Sequence, residues 1–381
     1  MKLSITFYYL IFLSIIIVNS CAFNPGTSIN TSIIDNEIST AIKDSIFPGA
    51  VLLFGQNDQV LYHKAFGNYT YEKNSTAVKK TSIFDLASVS KVVATTSAAM
   101  ILYDRKELFL DDKVIKYLSE FDNNEKAKIS IRNLLLHNSG LPAFKKYYDE
   151  FSSAEEVVND IMHIGLLHAP GEKYIYSDLG MIALQKVIEK ITEMSLDEFL
   201  NKNLFNYLEM HHTMYNPSNE IKNKCVPTEL DDFWRMRLLQ GEVHDERAYL
   251  LNGVAGHAGL FSTAKDLSNF VLMLLNEGMY GNEQIIKSKT IDLWTTKQSD
   301  QSDRGLGWDT KSVNGYSSAG KMFSKNSFGH TGYTGTSIWV DKDSKLFVIL
   351  LTNRVHPKRT NRKIVKFRPK LHDIIYKTVV N

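Results

Sequence analysis

Cysteine is scarce. Only Cys21 and Cys225 occur in 381 residues, which excludes a mature fold stapled by several disulfides. A surplus of charge of either sign is missing too. The net charge is +2 at pH 7, with acids and bases mixed along most of the length, and this argues against a nucleic-acid footprint. The basic stretch from Lys358 to Lys370 is interleaved with Ile364, Val365 and Phe367 and reads as the solvated face of a helix. No His-Glu-x-x-His is present. His244-Asp245-Glu246 has no second histidine at helical spacing, so zinc is not expected and a cleft-lining or hydrogen-bonding role fits better. Gly253-Val254-Ala255-Gly256 lacks the Lys-Ser/Thr ending of a phosphate loop and reads as close backbone packing. Neither a cofactor nor a metal is expected. Internal repeats and low-complexity stretches are absent.

What is there suffices for one large core or two smaller ones, with 44% hydrophobic and 23% charged residues. Met1-Lys2 and the apolar stretch Leu3 to Val18 are short for a membrane span and about right for an export signal over residues 1–20. Cys21 follows the small Ser20, as at a bacterial lipoprotein processing site, although Val18 and Asn19 depart from its usual residues. The expectation is an exported protein, lipidated at Cys21 and membrane-anchored, facing the periplasm or cell exterior, with residues 21–31 as a tether. Cys225 is then an ordinary lone thiol.

From residue 32 the pattern gives a helix over Ser32 to Ile46 and strands at Gly49 to Gly55 and Val60 to Gly67. Helices are predicted over Ala154 to Ile164, Leu179 to Thr192 and Leu196 to Leu204. Strands return at Thr336 to Val340 and Leu346 to Leu351, and a closing helix is placed from about Lys370 to Val379, after Pro369. Strands from both ends can share one sheet. The fold class is therefore α+β: an antiparallel sheet flanked by helices (about 32–89 and 254–381) plus a mostly helical lobe (about 90–253), with a cleft between them.

Ser88 stands three residues before Lys91, at the head of an alanine-rich apolar run. On a helix that spacing holds an amine against a hydroxyl, and a desolvated lysine with a lowered pKa can activate a serine. The spacing alone is cheap. Ser262 to Lys265 repeats it, but there Thr263 and Asp266 read as a helix N-cap with an acidic first turn. Ser318 to Lys321 falls in a Gly/Ser loop. Two further elements matter: Tyr176-Ser177-Asp178, after Pro170-Gly171 and immediately before a helix, and His330-Thr331-Gly332, before the late strands. Tyr147-Tyr148-Asp149 and Tyr280-Gly281-Asn282 match the tyrosine motif loosely, yet lack both the Pro-Gly lead-in and the following helix. His137, His211 and His212 read as structural or surface residues.

Serine, lysine, tyrosine, then a basic residue with Thr-Gly, in that order, resembles the serine β-lactamase and penicillin-binding-protein superfamily, in particular its class C-type branch of DD-peptidases and esterases. Phe47-Pro48-Gly49-Ala50, Phe84 to Lys91, Leu134 to Leu141 and Gly253 to Ser262 are also similar to phrases of that branch, and the likeness covers roughly residues 47–357. The resemblance implies a β-lactamase-like catalytic domain over 32–381, in which Ser88 is acylated and Lys91 keeps it activated. Tyr176 passes a proton to the leaving group, and the backbone N–H groups of Ser88 and Tyr333 form the oxyanion hole. Asp178, His330, Thr331 and Gly332 contact substrate.

Two positions depart from the branch pattern. Asp178 stands where asparagine is usual. Ionised, it would favour the Lys91 ammonium and pass the role of base to Tyr176; protonated, it would donate a hydrogen bond. His330 replaces the lysine of β-lactamases, so activity on carboxylate-bearing substrates is expected to fall as His330 loses its proton between about pH 5 and 8. The functional expectation is a serine hydrolase acting on cell-wall D-alanyl peptides in the manner of a DD-carboxypeptidase. The alternatives are a small-ester or amide hydrolase, a β-lactamase, or a non-catalytic wall-binding lipoprotein.

Overall fold

In the computed structural model, residues 29–121 and 125–380 are described; the expected export signal (1–20), Cys21 and most of the expected tether lie outside them. A six-stranded antiparallel sheet organises the chain. It is built from β1 (Gly49–Gln56), β2 (Gln59–Gly67), β3 (Asp309–Thr310), β4 (Phe328–Thr331), β5 (Ser337–Asp341) and β6 (Leu346–Thr352). Their spatial order is β3-β4-β5-β6-β1-β2, so strands from the two ends of the sequence meet where β1 pairs with β6, Leu52 opposite Leu350.

β1 and β6 are apolar nearly throughout because both faces of the sheet are covered. Ala50, Leu52, Phe54, Val348 and Leu350 point to one side, where α1 (Ser32–Lys43) and the carboxy-terminal helix (Ile364–Val379) bring Ile34, Ile38, Phe367 and Leu371. Val51, Leu53, Ile349 and Leu351 point to the other, into a larger core shared with the helical body. The alternation is the period of two of a pleated strand. Of the helices on that side, α2 (Asp178–Thr192) carries part of the site and α3 (Ala264–Leu275) packs against β1 and β6 of the sheet. As the sequence indicates, α3 is capped by the Thr263 side chain, which accepts from the Asp266 N–H.

One helix boundary is corrected. The closing helix starts at Ile364, not beyond Pro369, and holds the proline in its interior. A helical proline denies a hydrogen bond to the carbonyl four residues earlier. Here that carbonyl, Val365 O, accepts from the Tyr316 hydroxyl at 2.9 Å.

Candidate active site

Ser88 sits on a short 3₁₀ turn, Ala87–Val89, which runs into a π-helical segment, Lys91–Thr96, before the α-helix Ser97–Asp104. The expected regular helix is thus replaced at its start by one tight turn and one wide turn. Ala87, just before the nucleophile candidate, has φ of 46°, a left-handed conformation costing about 1–3 kcal/mol for a residue with a side chain. Four contacts pin this elbow. Ala87 N–H donates to Asp85 Oδ1 at 2.8 Å, and Thr334 and Thr336 hydroxyls donate to the carbonyls of Asp85 and Leu86 at 2.7 and 2.9 Å. Gly332 packs so closely that a Cβ there would lie 2.3 Å from the Leu86 carbonyl oxygen. The turn between β4 and β5 and the nucleophile loop are therefore a single backbone unit. Among the described residues, neither the Ser88 nor the Tyr333 N–H has an acceptor, so both remain available to a developing oxyanion.

The amine of Lys91 is fully buried and lies 2.9 Å from Ser88 Oγ. It also donates to the His257 carbonyl at 2.9 Å and stands 2.8 Å from Asp178 Oδ1. Burial disfavours an ammonium here, but the Asp178 carboxylate and the hydrogen-bonded Tyr176 phenol outweigh it, and the lysine pKa is raised. Of the two alternatives open at Asp178 in the sequence, this goes with the ionised carboxylate, which keeps Lys91 an ammonium, and not with a lysine depressed into the role of base. Asp178 is the reciprocal case. Burial pushes its carboxyl up, and Lys91, His257 and Arg247 hold it below its ordinary value, so it is the ionised form that the site contains. Arg247 meets Asp178 at 3.1 Å and Asp245 at 2.5 Å, and His257 Nε2 lies 2.8 Å from Asp245. Asp178, Asp245 and His257 converge within 4.8 Å, as metal ligands would. Their charge is already matched by Lys91 and Arg247, which makes the group an ion-pair network.

Tyr176 is held by the Leu134 to Leu141 phrase and its continuation. Ile175 and Asp178 donate backbone bonds to the carbonyls of His137 and Ala143, and Ser177, the N-cap of α2, donates its hydroxyl to Pro142 O. His137 is buried with its ring 4.6 Å from that of Tyr176, and burial keeps its pKa well below the usual range. Its role is structural. The Tyr176 ring lies 4.9 Å from the Lys91 amine and 4.9 Å from the Arg304 guanidinium.

His330 departs from expectation. It is buried on β4, its Nδ1–H donates to Thr331 O at 2.9 Å, and Arg304 approaches its Nε2 at 3.5 Å. Burial chiefly lowers its pKa, to about 4, although Asp309 opposes the shift. His330 is neutral across pH 5–8, so it cannot supply the expected titrating charge. The fixed positive charge beside it is Arg304, paired with Asp309 at 2.6 Å. Arg304 and Arg247 were missed in the sequence because no local spacing links them to the motifs; Asp245 and His257 lie in segments that the sequence marked only as cleft-lining and as a branch phrase, without their ion-pair role.

Ser88 opens onto two recesses. One, of about 380 Å³, is lined by Phe144, Tyr148, Tyr176, His244, Arg247 and Tyr333 among others. His244 lines it while bonding Glu229 at 2.9 Å, a cleft and hydrogen-bonding role as expected. The other, of about 400 Å³, includes Arg304, His330, Thr331, Gly332 and Tyr333. The structure thus brings Ser88, Lys91, Tyr176, Asp178, Tyr333 and the His330-Thr331-Gly332 turn to one place.

The profile of the β-lactamase family matches residues 34–367. The chain belongs to the β-lactamase family. This β-lactamase-family protein is 34% identical over 351 residues to the N-acetylmuramyl-L-alanine amidase of Bacillus subtilis, covering 81% of this chain and 78% of the relative. It is 31% identical over 349 residues to a protein of Escherichia coli O157:H7 named "Putative D-alanyl-D-alanine carboxypeptidase", covering 82% and 80%. Its fold is similar to that of the octameric penicillin-binding protein homologue from Pyrococcus abyssi, with a TM-score of 0.71, 20% identity, and coverage of 91% of this chain and 78% of that one. It is a serine hydrolase of β-lactamase fold.

Proposed function

We propose that the protein hydrolyses amide bonds of cell-wall-derived peptides through an acyl-enzyme on Ser88, a D-alanyl peptide being the first substrate. The observation that carries this reading is the 2.9 Å contact between a buried, protonated Lys91 and Ser88 Oγ, with Tyr176 on the same amine. An ammonium accepts no proton, so the reactive form has the Tyr176 phenolate paired with it. Tyr176 takes the proton from Ser88 as Oγ bonds to the carbonyl carbon, and the Ser88 and Tyr333 N–H groups hold the oxyanion. The same proton then passes to the leaving nitrogen as the C–N bond breaks. Water adds to the resulting ester and frees Ser88. Arg304 and Thr331 supply the polar surface for a carboxylate of the substrate.

A second reading, hydrolysis of the amide joining a muramyl group to L-alanine, is supported by the named activity of the Bacillus subtilis relative. An exported location with lipid attachment at Cys21 accompanies both; labelled palmitate incorporated by the cells and lost in Cys21→Ala would support it. The central test is mass spectrometry after a fluorophosphonate. An adduct on the Ser88 peptide, absent in Ser88→Ala, is expected, and an unlabelled wild-type protein would favour a non-catalytic binder. Turnover of a D-Ala-D-Ala peptide, a muramyl-L-alanine amide and a short nitrophenyl ester then separates the peptidase, amidase and esterase forms.

A further inference from the structure

The second recess carries more positive charge than one carboxylate requires. Beyond Arg304 it is lined by Arg354, Arg362 and Arg368. Arg354 and Arg368 are only 6% and 5% exposed, whereas Arg362 is exposed. Among the described residues none of the three is in an ion pair. Arg354 spends its Nε on Tyr333 O at 2.7 Å and its Nη1 on the carbonyls of Arg359 and Asn361. Arg368 donates one bond, from Nη2 to Thr336 O at 3.2 Å, and its Nε has no acceptor. The recess has one acid of its own, Asp309, already committed to Arg304. Glu229, further off, is taken up by Arg359 and His244.

Grouping buried guanidinium groups without counter-charge is costly, and the cost is recovered when an anion enters. The strain is visible in the groups themselves. Burial lowers the Arg368 pKa to about 10, with Arg354 adding to the effect and Tyr316 opposing it, and burial with Arg362 nearby lowers that of Arg354.

We propose that Arg354, Arg362 and Arg368 form a second oxyanion subsite, which takes a carboxylate additional to the one facing Arg304. The preferred ligand is then a peptide with two acid groups on the fragment that lies on the His330 side of Ser88. This deepens the amide-hydrolase reading above and rests on it.

The test uses two peptides, each ending in a free carboxylate, with Glu in one and Gln at the same place in the other, measured as competitive inhibitors of nitrophenyl-ester hydrolysis. The Glu peptide is expected to bind about tenfold or more tighter to the wild type at low salt, the worth of one charge-assisted contact. That ratio should fall toward one in Arg362→Gln and in Arg368→Gln; the exposed Arg362 gives a variant with little risk to folding. A wild-type ratio near one, a ratio retained in both variants, or failure of both peptides to compete overturns the subsite. Loss of ester turnover and of the fluorophosphonate adduct in the wild type would instead strike the acyl-enzyme reading.

Discussion

At the scale of single residues, Asp178 decides which group moves the proton. As an ionised partner it fixes Lys91 as an ammonium, so that in the mechanism proposed above the base is Tyr176. Replacing it by the neutral isostere should reverse that bias. In Asp178→Asn the Lys91 pKa falls, so the alkaline limb of the pH–rate profile on an uncharged ester should move to lower pH. Removing one partner of a buried pair also costs about 3–5 kcal/mol, readable as a lower urea midpoint. An alkaline limb that stays in place would count against the assigned protonation. Ser88, Lys91 and Tyr176 were legible in the sequence because each sits in a short pattern: a spacing of three at the head of a helical run, and a tyrosine just ahead of an N-cap. Arg304 and Arg247 were not, since the contacts that bring them to the site reach 26 and 69 positions along the chain, to His330 and Asp178, while their local partners Asp309 and Asp245 carry no motif. The protonation of His330 was also out of reach, because burial, which the sequence does not state, controls it.

At the scale of elements, the site depends on how the π-helical segment Lys91–Thr96 meets the 256–257 strip. Lys91 Nζ holds the His257 carbonyl and Thr95 Oγ1 holds the Gly256 carbonyl at 2.7 Å. On the other side Gly256 donates to Gln185 Oε1 at 2.8 Å, and a Cβ at Gly256 would lie 2.3 Å from the Met181 carbonyl oxygen. Both Met181 and Gln185 belong to α2, so a side chain at 256 must push the strip off the helix that carries Asp178. Gly256→Ala is expected to cost about 1–3 kcal/mol of stability and to lower acylation by the fluorophosphonate. A variant with wild-type melting and labelling would refute this coupling. Sequence periodicity found α2 and the four long strands to within a few residues, and the N-cap signal at Thr263 found the start of α3. The wide turn after Ser90 left no local trace, whereas the basic run interleaved with Ile364, Val365 and Phe367 did point to a helix ahead of Pro369, and only its continuity through the proline was not legible. Ser97 Oγ on Val92 O at 2.9 Å and Tyr316 on Val365 O are the tertiary or side-chain bonds that make them tolerable.

At the scale of the molecule, buried neutral histidines set the acid limit. His330 and His372 have pKa values pushed by burial to about 4 and about 3, against 6.5 for the free side chain. Below about pH 6.5 the unfolded chain takes up protons that the folded chain refuses, so stability should decline as pH drops toward 4. The effect reaches up to about 3 kcal/mol for each histidine. The carboxylates Asp178 and Asp245, both held below their ordinary values, add their loss only at still lower pH. Urea midpoints should therefore fall from pH 6.5 downward, and less steeply in His372→Gln. A midpoint constant from pH 7 to 4.5 would contradict this. The antiparallel sheet was readable because β1, β2, β5 and β6 are long and strongly patterned. The two recesses were not, since each is lined from several distant segments.

The close seat of Gly332 on the Leu86 carbonyl has an evolutionary corollary. Because main chain touches main chain there and Asp85, Thr334 and Thr336 tie the same backbone, the gap between the two waiting amide donors does not depend on the other side chains that line the recesses. Loops lining either recess are thus free to diverge and select new acyl partners, while a mutation that adds even a methyl group at 332 should be purged whatever the substrate.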